Sequence, residues 1–170
     1  MYGYFFAQTF SGNFQDVQDL VDAGNLGVRF AAPCYSGYAL FAALEGSTGS
    51  DLTAAAGRVV AAGASAWDLA VGTAPSDPAN PGTGLKGPPK FDVAQDHEAF
   101  VRVQLSSGSS GTFLAAAAGV TDVIGACLTA GAYSALVEVG ASSFGAVTTA
   151  VTAVAGLTGV NSVVTALADL

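Results

Sequence analysis

His97 is the single histidine of this 170-residue chain, and it stands among Asp92, Asp96 and Glu98. Histidine beside carboxylates is a combination that moves protons or holds a metal. A metal would need converging ligands from elsewhere, so His97 reads as an exposed linker side chain. Asp16, Asp19 and Asp22 recur three apart on a helical pattern. Calcium draws about six to eight oxygens, usually from a loop, so this stripe reads as a wetted helix face. Ser-His-Asp catalysis would have to use His97. No GxSxG elbow is present, and Ser106–Ser110 is a Gly/Ser turn. Gly46–Asp51 (GSTGSD) opens a helix and could offer backbone N–H groups to an anion. It lacks the lysine of a phosphate loop, and Asp51 would repel phosphate, so capping is the better reading. No acid–base or nucleophile constellation results. The expectation is a protein that is not an enzyme, with no metal and no cofactor.

Only 11% of residues are charged, while 51% are hydrophobic and mean hydropathy is +0.51. Gly, Ser, Thr, Asn and Asp interrupt every apolar stretch before it reaches the roughly 18 residues of a membrane-span candidate. The apolar excess is spread over two-faced elements, and burial against other subunits would account for it. Net charge is −8, and the five cations, Arg29, Arg58, Lys86, Lys90 and Arg102, stand isolated. Without a basic patch, nucleic-acid binding is not expected. The N-terminal MYGYFFAQTF has no positive region before an apolar core, so no signal peptide is expected and synthesis is cytoplasmic. Cys34 and Cys127 are expected on the second strands of two modules, as buried reduced thiols without a bridge.

The elements that must position these groups are written twice. Residues 2–73 and 98–170 each read strand, helix, strand pair, helix, strand. The first copy runs through YGYFFAQTF, NFQDVQDLVDAG, GVRFAAPCYSGYALFAALEG, SDLTAAAGRVVAAG and SAWDLAVGT. The second runs through EAFVRVQL, SGTFLAAAAG, TDVIGACLTAGAYSALVEVG, SSFGAVTTAVTAVAG and NSVVTALADL. Between them, residues 74–97 hold five of the six prolines and read as a solvent-facing linker, since Pro neither donates to a ladder nor continues a helix. The domain expectation is 1–73, linker 74–97, and 98–170.

Asn13 is expected to cap the first helix, with Phe14, Val17, Leu20 and Val21 inward and Gly24 closing it. Ser50 or Asp51 is expected to cap the second, with Leu52, Ala55, Ala56, Val59 and Val60 inward. In the last helix, Phe144, Val147, Val151 and Val154 form the stripe. Its β-branched content lowers helix propensity, so packing must hold it, and a strand stays open.

Three stretches of the second copy carry a resemblance. They are Ala118–Val139 (AGVTDVIGACLTAGAYSALVEV), Ala153–Leu170 (AVAGLTGVNSVVTALADL) and the opening EAFVRVQL. They resemble the ligand-binding (RAM) domain of Lrp/AsnC regulators, and the first copy is similar in outline. The resemblance implies a ferredoxin-like βαββαβ module that pairs through sheets and binds amino-acid-like effectors in crevices. The family's turn falls on Gly131, Ala132, Tyr133 and Ser134, which makes Gly131, Tyr133 and Ser134 the candidate ligand-binding residues. The family commonly has an acidic residue at the place of Ser134, and its DNA-binding domain has no counterpart here. Bacterial microcompartment shell proteins are a looser likeness.

The fold expected is α+β, two tandem ferredoxin-like modules forming a pseudo-dimer. The function expected first is a non-enzymatic assembly subunit of a virion, such as a capsid-associated protein, or of a protein shell. Its partners would be other protein subunits or copies of itself, with no nucleic acid and no membrane span. The alternative is a stand-alone effector-binding module of Lrp/AsnC type.

Overall fold

The computed structural model describes residues 1–72 and 97–169. The linker expected at 74–97 therefore lies outside the described residues, save His97. That residue opens a strand and stacks on Phe144 with ring centroids 4.1 Å apart, contrary to its expected place in a linker.

The elements run β1 (Tyr2–Phe10), α1 (Phe14–Asp22), β2 (Val28–Pro33), β3 (Leu40–Glu45), α2 (Gly49–Ala61) and β4 (Ala64–Gly72). The plan then repeats as β5 (His97–Leu105), α3 (Ser110–Ala118), β6 (Val123–Gly131), β7 (Ala135–Ala141), α4 (Phe144–Ala155) and β8 (Val160–Asp169). The fold is α+β, with two ferredoxin-like modules in tandem. The modules have the same antiparallel order, β2-β3-β1-β4 and β6-β7-β5-β8. They join where Ala70, Val71 and Gly72 of β4 pair Gly131, Ala130 and Thr129 of β6. On the other side Ser36 bridges Leu167, and the Tyr35 N–H donates to the Leu167 carbonyl at 2.8 Å. The sheet thus curls into a barrel with the helices outside, its end strands β2 and β8 brought together at this single bridge.

Strand alternation sends successive side chains to opposite faces. In β1, Tyr4 and Phe6 enter the barrel, while Phe5 and Ala7 face α1 and α2, and all four are fully buried. Three cores follow. The barrel interior joins Tyr4, Phe6 and Phe41 of the first module to Phe100, Tyr133 and Leu136 of the second. Phe41 and Phe100 stack there at 4.0 Å. A second core lies under α1 and α2, and a third under α3 and α4. A buried Phe contributes about 1.5–3 kcal/mol, so the shared interior binds the modules together.

Local chemistry sets the helices. The Asn13 side chain accepts from the Gln15 N–H, as expected. α2 is capped by Thr48 rather than by Ser50 or Asp51. Asp51 sits at the third position and completes a capping box. Hydrogen bonds to Asp51, that of the Thr48 backbone N–H first, hold its carboxyl below its usual range. The Thr-rich α4 is a helix. Thr148, Thr149 and Thr152 each donate to the carbonyl four residues back, which satisfies their hydroxyls, while Val147, Ala150 and Val154 are buried. Phe144 stands 42% exposed rather than inward. Asp19 and Asp22 accept from Gln15 and Gln18 on the wet face of α1.

Both cysteines are free. Cys127 lies in β6, but Cys34 falls one residue past β2. The strand registers match Cys127 to Ala32, since these pair Leu136 and Phe41. The two thiols therefore do not occupy equivalent sites. Burial pushes the Cys34 thiol up to about 12 and Cys127 to about 11.

Candidate functional site

Even-numbered residues of β5 point into the barrel, and they include Glu98, Phe100 and Arg102. Glu98 is fully buried, as is Glu138 across on β7. Arg102 pairs Leu136 and Val164 in its own sheet, as Phe6 pairs Phe41 and Asp68 in the first module. Arg102 is thus the repeat counterpart of Phe6, and Asp68 the counterpart of Val164. At these two positions one module carries an apolar residue and the other a charge. The charges meet across the modules: an Arg102 guanidinium N–H donates to Asp68 Oδ2 at 2.7 Å.

Rings surround the guanidinium. Its central carbon lies 4.7 Å from the Tyr133 ring centroid, 5.2 Å from Tyr38 and 5.6 Å from Phe6. Tyr38 and Tyr133 each stand two residues before the third strand of their module, so the repeat supplies a matched pair of rings to one cation. Each such contact contributes about 0.5–2 kcal/mol, more when water is excluded. The Arg102 side chain is 12% exposed, and its buried Nε has no hydrogen-bond acceptor. Desolvation lowers its pKa from the ordinary arginine value. At ordinary pH it stays charged, because arginine titrates so high.

A cavity of about 200 Å³ opens on this group, lined by Arg102, Gln104, Ala132, Tyr133, Ser162 and Val164. Gln104 and Ser162 are directly opposed on β5 and β8. The Tyr133 hydroxyl donates to the Tyr4 carbonyl at 3.2 Å. Burial raises its pKa well above the ordinary tyrosine value, so it is a protonated wall and not a base.

Of the three sequence candidates, the structure brings Tyr133 to this cavity. Tyr133 lies in the turn before β7. Gly131 sits at the module seam with φ +125°, and a Cβ there would come 3.0 Å from the Leu69 carbonyl. Ser134 Oγ accepts from the Leu105 N–H, and its own N–H donates to Val103. Arg102, Asp68 and Gln104 were missed. The signal for two of them was in β5, where Glu98, Arg102 and Gln104 all fall on one face.

A larger groove of about 470 Å³ lies on the first module, beside Arg29, Arg58 and Asp51. Its cations are engaged locally. Arg29 pairs with Glu45 and donates to the Gly24 carbonyl, and Arg58 donates to that of Leu26. The N–H groups of Ser47 and Thr48 at the start of α2 are taken by Asp51.

No family model and no curated protein matches the sequence. Solved structures do share the fold. A siroheme decarboxylase, NirDL, aligns with TM-score 0.64 at 8% identity, over 99% of this chain and 71% of that one. Its co-complex with an iron-uroporphyrin III analogue aligns with TM-score 0.60 at 9% identity, over 99% and 70%. A mutant chlorite dismutase from Candidatus Nitrospira defluvii aligns with TM-score 0.57 at 8% identity, over 99% and 91%.

These neighbours contradict the expectation of a non-enzymatic virion or shell subunit, for the aligned structures are named as a siroheme decarboxylase and a chlorite dismutase. The apolar excess behind that expectation has another home. It fills a barrel interior and two helix–sheet layers within the chain itself.

An iron porphyrin does not fit the described residues. Under α3 and α4 the layer is filled by Val101, Val103, Phe113, Val147 and Val154, all fully buried. His97, the single histidine of the chain, is stacked on Phe144. The Arg102 cavity is smaller than the roughly 300 Å³ at which sites for drug-sized ligands begin.

Proposed function

We propose that this chain is an enzyme of the ferredoxin-like barrel type that takes a small anionic molecule into the Arg102 cavity. One observation carries the proposal: a mostly desolvated guanidinium, fixed by Asp68 and three rings, forms part of a cavity wall. A cation held in place before the ligand arrives stabilises negative charge without reorganising. Arg102 anchors the anion. Tyr133 closes one wall and stays protonated. Gln104 and Ser162 orient the remainder of the ligand at the rim. The enzymatic character is supported by the activities named for the neighbours that share the fold. The RAM resemblance supports the placement of a ligand beside Tyr133.

Thermal shift with a panel of small carboxylates and inorganic phosphate tests the reading. Ligand at about a hundredfold excess over Kd stabilises the folded state by about 2.7 kcal/mol. Stabilisation of the wild type, absent in Arg102→Met, is expected. Equal responses in both, or no response from any anion, would remove Arg102 as the anchor.

A further inference from the structure

We infer that the ligand of the Arg102 cavity is a short monocarboxylate bearing a hydroxyl or oxo group within one or two carbons of the carboxylate. The inference rests on the small-anion reading above and adds the class of molecule. Three observations narrow it.

The first is charge. Among the described residues Arg102 is the single charged one lining the cavity, and Asp68 already partly neutralises it. A phosphate or a dicarboxylate would bring a second negative charge that no lining side chain answers. The chain's net charge of −8 works against it further. One carboxylate matches one guanidinium, whose planar fork accommodates it.

The second is size. About 200 Å³ at roughly 30 Å³ per water seats several heavy atoms between its walls. Ala132 and Val164 give such a molecule an apolar wall.

The third is the placing of the uncharged polar groups. Gln104 and Ser162 form a cross-strand pair, two residues along from the Arg102–Val164 pair on the same face. Two residues of strand span about 7 Å, and a glutamine side chain is long enough to bridge part of that distance. A hydrogen-bonding group on the ligand is therefore wanted close to its carboxylate. Glutamine both donates and accepts, and so does serine, so a hydroxyl and an oxo group both satisfy the pair.

The test is isothermal titration of lactate, pyruvate, 3-hydroxybutyrate, butyrate, succinate and inorganic phosphate into the intact chain. The variants are Arg102→Lys, Arg102→Met, Gln104→Leu and Ser162→Ala, with circular dichroism confirming each fold. Gln104 and Ser162 are exposed, so their variants carry the test even if an Arg102 variant does not fold. On the wild type a hydroxy or oxo acid should bind about three- to tenfold tighter than butyrate, the ratio set by one hydrogen bond. That preference should vanish in Gln104→Leu or Ser162→Ala. Tighter binding of succinate or phosphate, lost in Arg102→Met, would overturn the monocarboxylate class and leave the anion site standing. So would a preference that both rim variants retain. Absence of any Arg102-dependent binding would overturn the class and the site together.

Discussion

Cutting the Arg102–Asp68 pair from each side in turn tests whether it is an interaction across the modules or a coincidence of position. The two side chains come from different modules and are 12% and 38% exposed. This lies between the exposed pair, at about 0–1 kcal/mol, and the buried pair, where losing one partner costs about 3–5 kcal/mol. Asp68→Asn keeps the shape but leaves a largely buried guanidinium without its carboxylate, at about 1.5–3 kcal/mol. Arg102→Met leaves Asp68 free to be hydrated. It forfeits the three ring contacts, at about 0.5–1 kcal/mol each at partly exposed sites. The single changes thus have similar costs for different reasons, and neither isolates the pair. The double variant does. The predicted coupling is about 1–2 kcal/mol, because once Arg102 is gone Asp68 has no buried charge to answer. Urea unfolding of the wild type, both singles and the double gives this value, with equal m-values required so that all four share one unfolded state. Additivity within about 0.3 kcal/mol would refute the reasoning.

Tyr133→Phe keeps the ring beside Arg102 and deletes the bond to the Tyr4 carbonyl. It should cost about 0.5–1.5 kcal/mol, seen as a fall of about 1–6 °C in Tm, and an unchanged Tm would contradict the bond. Gly37 has φ +73°, and a Cβ there would collide with the Thr165 carbonyl at the closing side of the barrel. Gly37→Ala should therefore destabilise by about 2 kcal/mol or more. Gly57→Ala, in α2 with open space around it, should stabilise by about 0.5–1 kcal/mol. Calorimetry showing the same sign for both glycines would undo the barrel-closure argument. With thiols pushed up by burial to about 12 and about 11, Cys34 and Cys127 should both stay protonated from pH 7 to 9. They should react with a thiol reagent only on unfolding, and fast modification of the native protein would contradict this.

The barrel explains why a likeness at 8–9% identity spans 99% of the chain. Two βαββαβ modules of one strand order, facing each other across a pseudo-twofold axis, meet β4 to β6 and close near Ser36 and Leu167. Here the layer under α3 and α4 is packed with Val and Phe, and the polar groups have gathered at the barrel face of β5.

Local periodicity determined the elements. Alternation in YGYFFAQTF and EAFVRVQL, the stripe of Leu52, Ala55, Ala56 and Val59, and the repeat itself specify strands, helices and the doubled plan. These depend on neighbours within a few residues, so the sequence displays them. The Thr48 cap was hidden because Thr48, Ser50 and Asp51 can all cap, and the choice depends on which hydroxyl reaches the third N–H. The candidate site was legible only in part. Tyr133 was found through its turn, and the one-sided polarity of Glu98, Arg102 and Gln104 was there to be seen. Asp68 gave no signal, because it is 34 residues from Arg102 and pairs with it only when the second module is laid against the first. The expectation of a non-enzyme rested on groups placed along the chain, and it is the activities named for structures sharing the fold that contradict it. Tertiary structure alone decided that the apolar faces close on each other, and that closure brought one arginine, one aspartate and two tyrosines together at one end of the barrel interior.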